Sequence, residues 1–453
     1  MANHVSRTGW GVSTLALLAF LLLIAGGALA FYTPALPAAG PNTPAPATAD
    51  DQAVPAVAEP AAPTVEYWPA EVRAEDGPWT GRLARIEEHL AILTVRGSSA
   101  ERGAAHGHLL KSYVAALVKG VRTYLRPEPA RDAERYAQCL DGARKMAEFL
   151  EADIRTEVKA CAEAAEVDAD ELMLAQLFGD VARAKGFATF CSSFAAFGSA
   201  TKDGELVVGR NFDYAGHGLE DGLPLILQAI PTGAGAGRPF VTIGYAGILN
   251  GWTAMNDAGL CASNNTLFGG QDSIEGVATC FLLRQIVERA STVEEGVKLV
   301  QVAKRACTTG MLVAGKNGKG EWDARFVEFD HAEAVVVKPK DGRVLSTNTR
   351  QRLAAVGDQP PSGPPSCGRW QKLKQELERL DGALDFADPK TNPVALHGVY
   401  LSINLHCALL DPAPGAQRIR LAVERGDHVP AAQQPFRAFR VEPERVVEID
   451  LGE

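Results

Sequence analysis

Apolar residues recur along this chain with two different periods. Leu110, Val114, Leu117, Val118, Val121 and Leu125 fall at helical spacing until Pro127 stops the run. Upstream of them Ser98 and Glu101 stand at the spacing of a capping box, which marks a helix start. A second Ala/Glu-rich helical stretch is expected over residues 130–165 and a third from Asp168. Two further amphipathic helices are expected over 276–289 and 293–303. Elsewhere the apolar runs are short and strand-like, at 90–95, 207–214, 223–230, 240–245, 311–314, 324–328, 334–338 and 418–423. Asp203-Gly204 separates an apolar run that starts at Cys191 from the Val-rich run at 207, and predicts a hairpin with a tight turn. Asn256-Asp257-Ala258-Gly259 predicts another.

The N-terminal pattern differs from both. His4 and Arg7 precede a mainly apolar run over 12–31 that holds no charged residue and contains Ala28-Leu29-Ala30. This is the layout of a secretory signal peptide. At roughly 20 residues the run is also long enough to remain as a membrane anchor. Residues 33–65 are rich in Pro and Ala and read as an extended spacer. The expected organisation is a signal peptide or anchor over 1–32, a linker over 33–66, a mainly helical segment over 67–190 and a second segment over 191–453. The expected location is exported, at the periplasmic or extracellular face.

Charge and cysteine usage narrow the chemistry. A formal charge of −10 without any Lys/Arg block disfavours a nucleic-acid partner. The eight cysteines contain no Cys-x-x-Cys, which disfavours a zinc ribbon or a dense disulfide framework. Cys139 and Cys161 are open either to bridging two helices in an oxidising compartment or to being reduced and buried. His106 and His108 lack a carboxylate or thiol to complete a ligand set, so a solvated helix face is expected there and no metal. No cofactor is implied.

Cys191 opens the first strand of the predicted hairpin, and Arg210 and Asp213 lie toward the far end of its partner. Antiparallel pairing would bring a thiol beside a guanidinium and a carboxylate. A Cys opening a strand, a Gly-containing turn and then Gly209-Arg210-Asn211-Phe212-Asp213 resembles the N-terminal nucleophile (Ntn) hydrolases of the penicillin acyltransferase and choloylglycine hydrolase kind. These include the peptidase C45-like acyl-coenzyme A:6-aminopenicillanic acid acyltransferases. Arg96-Gly97-Ser98 with Glu101-Arg102-Gly103 and His106-Gly107 resembles the opening of that family's pro-region. The stretch from Gly247 to Leu267 is similar to its Asn- and Gly-rich block. Val344-Leu345-Ser346-Thr347-Asn348 resembles its "VLTN" strand, and Ser366-Cys367-Gly368-Arg369-Trp370 the start of a later helix.

The resemblance implies a four-layer αββα sandwich, α+β, whose precursor is cut between Phe190 and Cys191. Residues 67–190 would then be a pro-segment, and the two fragments would stay associated. It implies Cys191 as nucleophile, Arg210 and Asp213 beside it, and Asn265 as oxyanion donor with Asn264 as the alternative. Asn348 and Arg369 would also face the site. A thiol near pKa 8.5 and an α-amino group near 7.7–8.0 exchange a proton almost without cost, so a terminal Cys carries its own base. The implied reaction is acyl transfer from a linear N-acyl amide or short peptide, through a thioester on Cys191, to water or an amine. Two other readings stand beside it. A papain-like protease would place its Cys on a helix N-terminus, and a membrane-tethered binding domain would keep the scaffold without the chemistry.

Overall fold

Residues 72–73, 80–183, 190–214, 222–351 and 364–451 are described in the computed structural model of the chain. The apolar run at 12–31 and the Pro-Ala spacer lie outside them, and no described helix is long and apolar enough to cross a membrane.

Three strands precede the helices: β1 (Val72–Arg73), β2 (Thr80–Glu87) and β3 (Leu90–Gly97). The capping box then starts α1 (Ser99–Leu109), with the Ser98 hydroxyl accepting from the Glu101 N–H and the Glu101 carboxylate accepting from the Ser98 N–H. Helix α2 (Lys111–Leu125) buries the Leu/Val stripe read from the sequence. The stretch expected as one helix over 130–165 is two, α3 (Ala133–Ala147) and α4 (Ala152–Ala165). Its ladder ends in tight turns at Phe149 and Leu150, and Glu151 is extended. Helix α5 (Ala169–Val181) is capped by Asp168. Gly103 and Gly107 let α1 lie directly on α4: a Cβ at either would fall 2.1 Å from the Glu157 carbonyl oxygen or 2.3 Å from that of Cys161.

The remaining strands are β4 (Phe190–Ala196), β5 (Val207–Asp213), β6 (Pro224–Pro231), β7 (Phe240–Tyr245), β8 (Thr253–Asn256), β9 (Cys261–Thr266), β10 (Thr309–Lys316), β11 (Trp322–Phe329), β12 (Ala334–Val337) and β13 (Arg343–Ser346). β14 (Asn404–Asp411), β15 (Arg418–Val423), β16 (Arg437–Glu442) and β17 (Arg445–Ile449) complete them. Helices α6 (Thr279–Arg289) and α7 (Val293–Val302) fall between β9 and β10, and α8 (Pro364–Arg379) precedes β14. The β4–β5 connection is longer than the tight turn expected at Asp203-Gly204. It includes a short 3-10 turn at Gly198–Ala200, with Gly204 at φ +80°.

The strands form two sheets. One runs β1-β2-β3-β6-β7-β8-β9-β10-β11-β12, and the other β13-β4-β5-β14-β15-β16-β17. Every described pair is antiparallel except β3 with β6. Alternation along the strands divides the core into three. Ile92, Ala195, Val208, Ile226, Leu312 and Leu410 fill the space between the sheets. Leu93, Leu227 and Val313 carry the other face of the larger sheet against α1–α7, where Val114, Leu172 and Phe281 meet them. Phe194, Val207 and Leu409 carry the other face of the smaller sheet against Leu373 and Leu377 of α8. The result is the αββα sandwich. The segment upstream of Cys191 is not only helical, because β1–β3 build one side of the larger sheet.

Candidate active site

The β4–β5 register pairs Phe190 with Asp213, Cys191 with Phe212 and Ser193 with Arg210. Alternation then puts Cys191, Ser193 and Ala195 on the face that looks toward the other sheet. Cys191 is 1% exposed. Its N–H donates to Asn348 Oδ1 at 2.9 Å, and its carbonyl accepts from Arg369 at 3.2 Å. Asn348 follows β13, which pairs with β4, and Arg369 comes from the first turns of α8. The same guanidinium donates to Asn348 Oδ1 at 2.6 Å and pairs with Asp213 at 3.2 Å. Asp213 is held in turn by Asn404 Nδ2 at 2.8 Å and the Leu401 N–H at 3.3 Å. Burial pushes Asp213 up to about 6, against the pull of Arg369 and Asn404.

Arg210 lies on the thiol's side of the strand pair and is fully buried. One terminal nitrogen donates to the Asn211 carbonyl at 2.9 Å and to Asn265 Oδ1 at 3.2 Å. Its Nε and second terminal nitrogen are unspent. Burial pushes the Cys191 thiol up, the Arg210 charge opposes it, and burial prevails in the uncut chain.

The two candidate asparagines face opposite ways. Asn265 Oδ1 accepts from Ser193 at 2.7 Å as well as from Arg210, and its amide nitrogen donates to Ser346 at 3.1 Å and the Thr347 carbonyl at 3.4 Å. Its donor is therefore spent on Ser346 and Thr347. Asn264 instead lines a cavity that Cys191 also lines, together with Thr266, Thr279 and Trp252. The structure thus brings Cys191, Arg210, Asp213, Asn348 and Arg369 together, and it gives the cavity-facing position to Asn264 where Asn265 was expected.

Sequence reasoning passed over several neighbours. Asn404, two residues before His406, orients Asp213. Ser193 and Ser346 complete the polar cluster around Asn265. Asp180 and Arg183, at the end of the upstream helices, line the cavity of Cys191. Asp180 accepts from the Thr279 N–H and hydroxyl at 2.8 and 2.9 Å, and Arg183 donates to the Leu267 carbonyl. Nothing in their local spacing marks these residues, since only the folded chain brings them near Cys191.

His406 is a strand residue, its Nε2 3.0 Å from the Thr253 hydroxyl and its ring stacked 5.2 Å from that of Phe212. Burial holds it well below the ordinary histidine range. His106 departs from the solvated face expected for it. It is buried, accepts the Gly247 N–H at 3.0 Å, and is pushed down to about 4 by burial. Cys139 and Cys161 are buried and unbridged, and the described residues hold no cluster of metal-ligating side chains.

The family model described as Acyl-coenzyme A:6-aminopenicillanic acid acyl-transferase matches residues 199–424. Among curated relatives, the protein dcd1A of Dictyostelium discoideum is 24% identical over 262 residues, 51% of this chain and 58% of that protein. An uncharacterized protein of Archaeoglobus fulgidus is 23% identical over 294 residues, 58% of this chain and 47% of that protein. The chain therefore spans about half the length of the curated relatives it matches. Similar solved structures include a Caenorhabditis elegans N-acylethanolamine-hydrolyzing acid amidase ortholog, 16% identical with a TM-score of 0.38, covering 56% of this chain and all of that one. A penicillin V acylase from Agrobacterium tumefaciens is 12% identical with a TM-score of 0.36, covering 51% of this chain and 83% of that one.

Proposed function

Because this chain belongs, over residues 199–424, to the acyl-coenzyme A:6-aminopenicillanic acid acyl-transferase family, we propose that it is a cysteine hydrolase or acyltransferase of linear N-acyl amides that activates itself by cutting before Cys191. The observation that carries this reading is the grip on one residue. Cys191 is held through its N–H by Asn348 and through its carbonyl by Arg369, while its thiol lines a cavity beside Arg210.

Activation begins when Cys191 Sγ attacks the carbonyl carbon of Phe190. The Phe190–Cys191 C–N bond breaks, a thioester forms, and the thiol proton passes to the freed nitrogen. Water then releases the Phe190 carboxylate and restores the thiol. The new α-amino group inherits the Asn348 Oδ1 acceptor that now holds the amide N–H, so its lone pair is oriented before it exists. In turnover that amine takes the thiol proton, Sγ attacks the substrate amide carbon, and the ammonium protonates the leaving amine. The unspent nitrogens of Arg210 stabilise the thiolate. Asn264 donates to the tetrahedral oxyanion, a role worth about 2.7–4 kcal/mol in comparable sites. Water or an amine then resolves the thioester. Asp213 balances the charge of Arg369 and keeps it on the Cys191 carbonyl. Residues 12–31 export the protein, by cleavage or as an anchor.

The test is N-terminal sequencing and intact-mass analysis of protein expressed without residues 1–66. The expected result is two fragments, one beginning at Cys191, with Cys191→Ala remaining a single chain. Active protein consisting only of uncut chain would overturn the self-cleavage.

A further inference from the structure

Two side chains from other elements hold the residue on the far side of the proposed cut. Phe190 opens β4, and its ring lies 6.2 Å from that of Phe268, tilted by 48°. The Arg369 guanidinium carbon stands 6.0 Å from the Phe190 ring centroid. Both separations are within reach of their kind of contact, an aromatic pair and a cation over a ring. Phe268 itself is 42% exposed, so the core does not account for its place. The residue before it also meets the upstream segment. The Leu267 carbonyl accepts from Arg183, whose guanidinium reaches Thr309 at 3.3 Å and Asp272 at 3.4 Å. Leu267 and Phe268, just past β9, thus touch that segment at Arg183 and again at Phe190.

We propose that Phe268 is a positioning residue for the self-cleavage: with Arg369 it grips the Phe190 ring and holds the scissile carbonyl in line with Cys191 Sγ. The proposal rests on the self-cleavage argued above and adds what selects the bond. Attack needs the sulfur within about 3–3.5 Å of the Phe190 carbonyl carbon and correctly aligned with it. The nitrogen side of that bond is fixed by Asn348 through the Cys191 N–H. The carbonyl side belongs to Phe190, and a ring held by two partners limits where its Cα and carbonyl can lie. Arg369 then binds the bond from both sides, through the Cys191 carbonyl and the Phe190 ring. The selected residue at 190 is aromatic, because an aliphatic side chain offers no π face to the guanidinium. Phe268 supplies no charge or proton and acts only through Phe190, so its task ends when the Phe190 carboxylate is released.

The test follows the cut over time in the full chain made by cell-free synthesis, on denaturing gels and by intact mass. Phe268→Ala should slow it roughly 2- to 12-fold, the strength of one aromatic pair. In the Cys191→Ala background, where nothing is cut, the same change should leave Tm within about 2 °C. Phe268→Tyr should restore the rate. Phe190→Leu should slow the cut at least as much as Phe268→Ala, since it loses both contacts, and Phe190→Tyr should not. The Phe190→Leu, Phe268→Ala double variant should be about as slow as Phe190→Leu alone, because Phe268 has then lost the ring it acts on. A double variant slowed by the product of the two single losses would overturn the role, as would a Phe268→Tyr no faster than Phe268→Ala. So would a Tm that falls in step with the slowing, which would make Phe268 a residue of the fold only. A wild-type chain that stays whole while it turns over an amide would overturn the self-cleavage itself and take this role with it.

Discussion

Asn264 and Asn265 are adjacent on β9, yet they face opposite sides of the sheet, and that alternation separates two roles. Asn264→Ala should lower kcat roughly 10²–10³-fold with little change in ground-state binding, because a donor to the oxyanion acts only as charge develops. Asn265→Ala should instead free Arg210 on one side. Its signature is a shift in the pH dependence of Cys191 alkylation, read by mass without any amide substrate. Equal kcat losses in both variants, with an unmoved alkylation profile, would refute this division. Asp213 makes a prediction in pH. A carboxyl raised from 3.8 to about 6 in the folded chain contributes stability that is complete below 3.8 and is lost as pH climbs through about 6. Asp213→Asn should flatten that decline in Tm. Function runs the other way, since only ionised Asp213 balances Arg369, so self-cleavage should slow as pH falls below about 6. A processing rate that is flat from pH 7 to 5 would refute the pairing. Cys191, Arg210 and Asp213 were legible in the sequence because one hairpin register brings them together. Asn348 and Arg369 came only through resemblance, since they arrive from elements more than 150 residues downstream. The choice between the two asparagines was not legible, because the spacing from Gly259 locates a strand without saying which face meets the cavity.

At the scale of elements, periodicity located the helices well where one face is apolar and buried, whether against other helices as in α2 or against a sheet as in α6 and α7. α2, α6 and α7 appeared nearly where the apolar stripe places them. The failures have separate causes. β16 and β17 are rich in Arg and Glu and only partly buried, so their alternation is masked by charge. The β4–β5 turn was mistaken because Asp203-Gly204 is a sound local signal inside a longer connection. The sheets also depend on absences of side chain that no pattern reveals. In β5, a Cβ on Gly209 would lie 2.0 Å from Phe194 Cε1, directly across the strand pair. Gly209→Ala must therefore push the Phe194 ring out of the core beneath α8. A loss of about 1–3 kcal/mol is expected from overpacking. Gly318→Ala, where the added carbon meets nothing within 4 Å, should change stability by no more than about 0.5 kcal/mol. Thermal melts of the two variants check this, and equal Tm values would show that the ring yields at no cost.

For the molecule as a whole, the segment upstream of Cys191 is built into the layers that follow it. β3 pairs in parallel with β6 from Ala91 with Leu225 to Gly97 with Pro231, so the larger sheet is continuous across the proposed cut. Below that sheet Glu157, 2% exposed, joins two guanidinium groups. It lies 2.7 Å from Arg102 of the upstream segment and 2.6 Å from Arg284 of the downstream one, and Arg284 also meets Glu288 at 2.9 Å. Desolvation works against Glu157 ionising, yet the two arginines hold its carboxyl below the ordinary range. Cutting one peptide bond removes none of these contacts. The processed fragments should therefore elute as one species on gel filtration and separate only in denaturant. Glu157→Ala should weaken that union, because it takes from Arg102 and Arg284 the buried carboxylate they share and leaves both to Glu288. The precedent for breaking a buried pair is about 3–5 kcal/mol. Glu157→Gln should cost less, since the amide oxygen still accepts from one guanidinium. The measurement is the denaturant midpoint at which the fragments part, compared for wild type, Glu157→Gln and Glu157→Ala. Fragments that separate in native buffer, or a Glu157→Ala midpoint equal to wild type, would show that the shared sheet and this charge cluster do not hold the halves together.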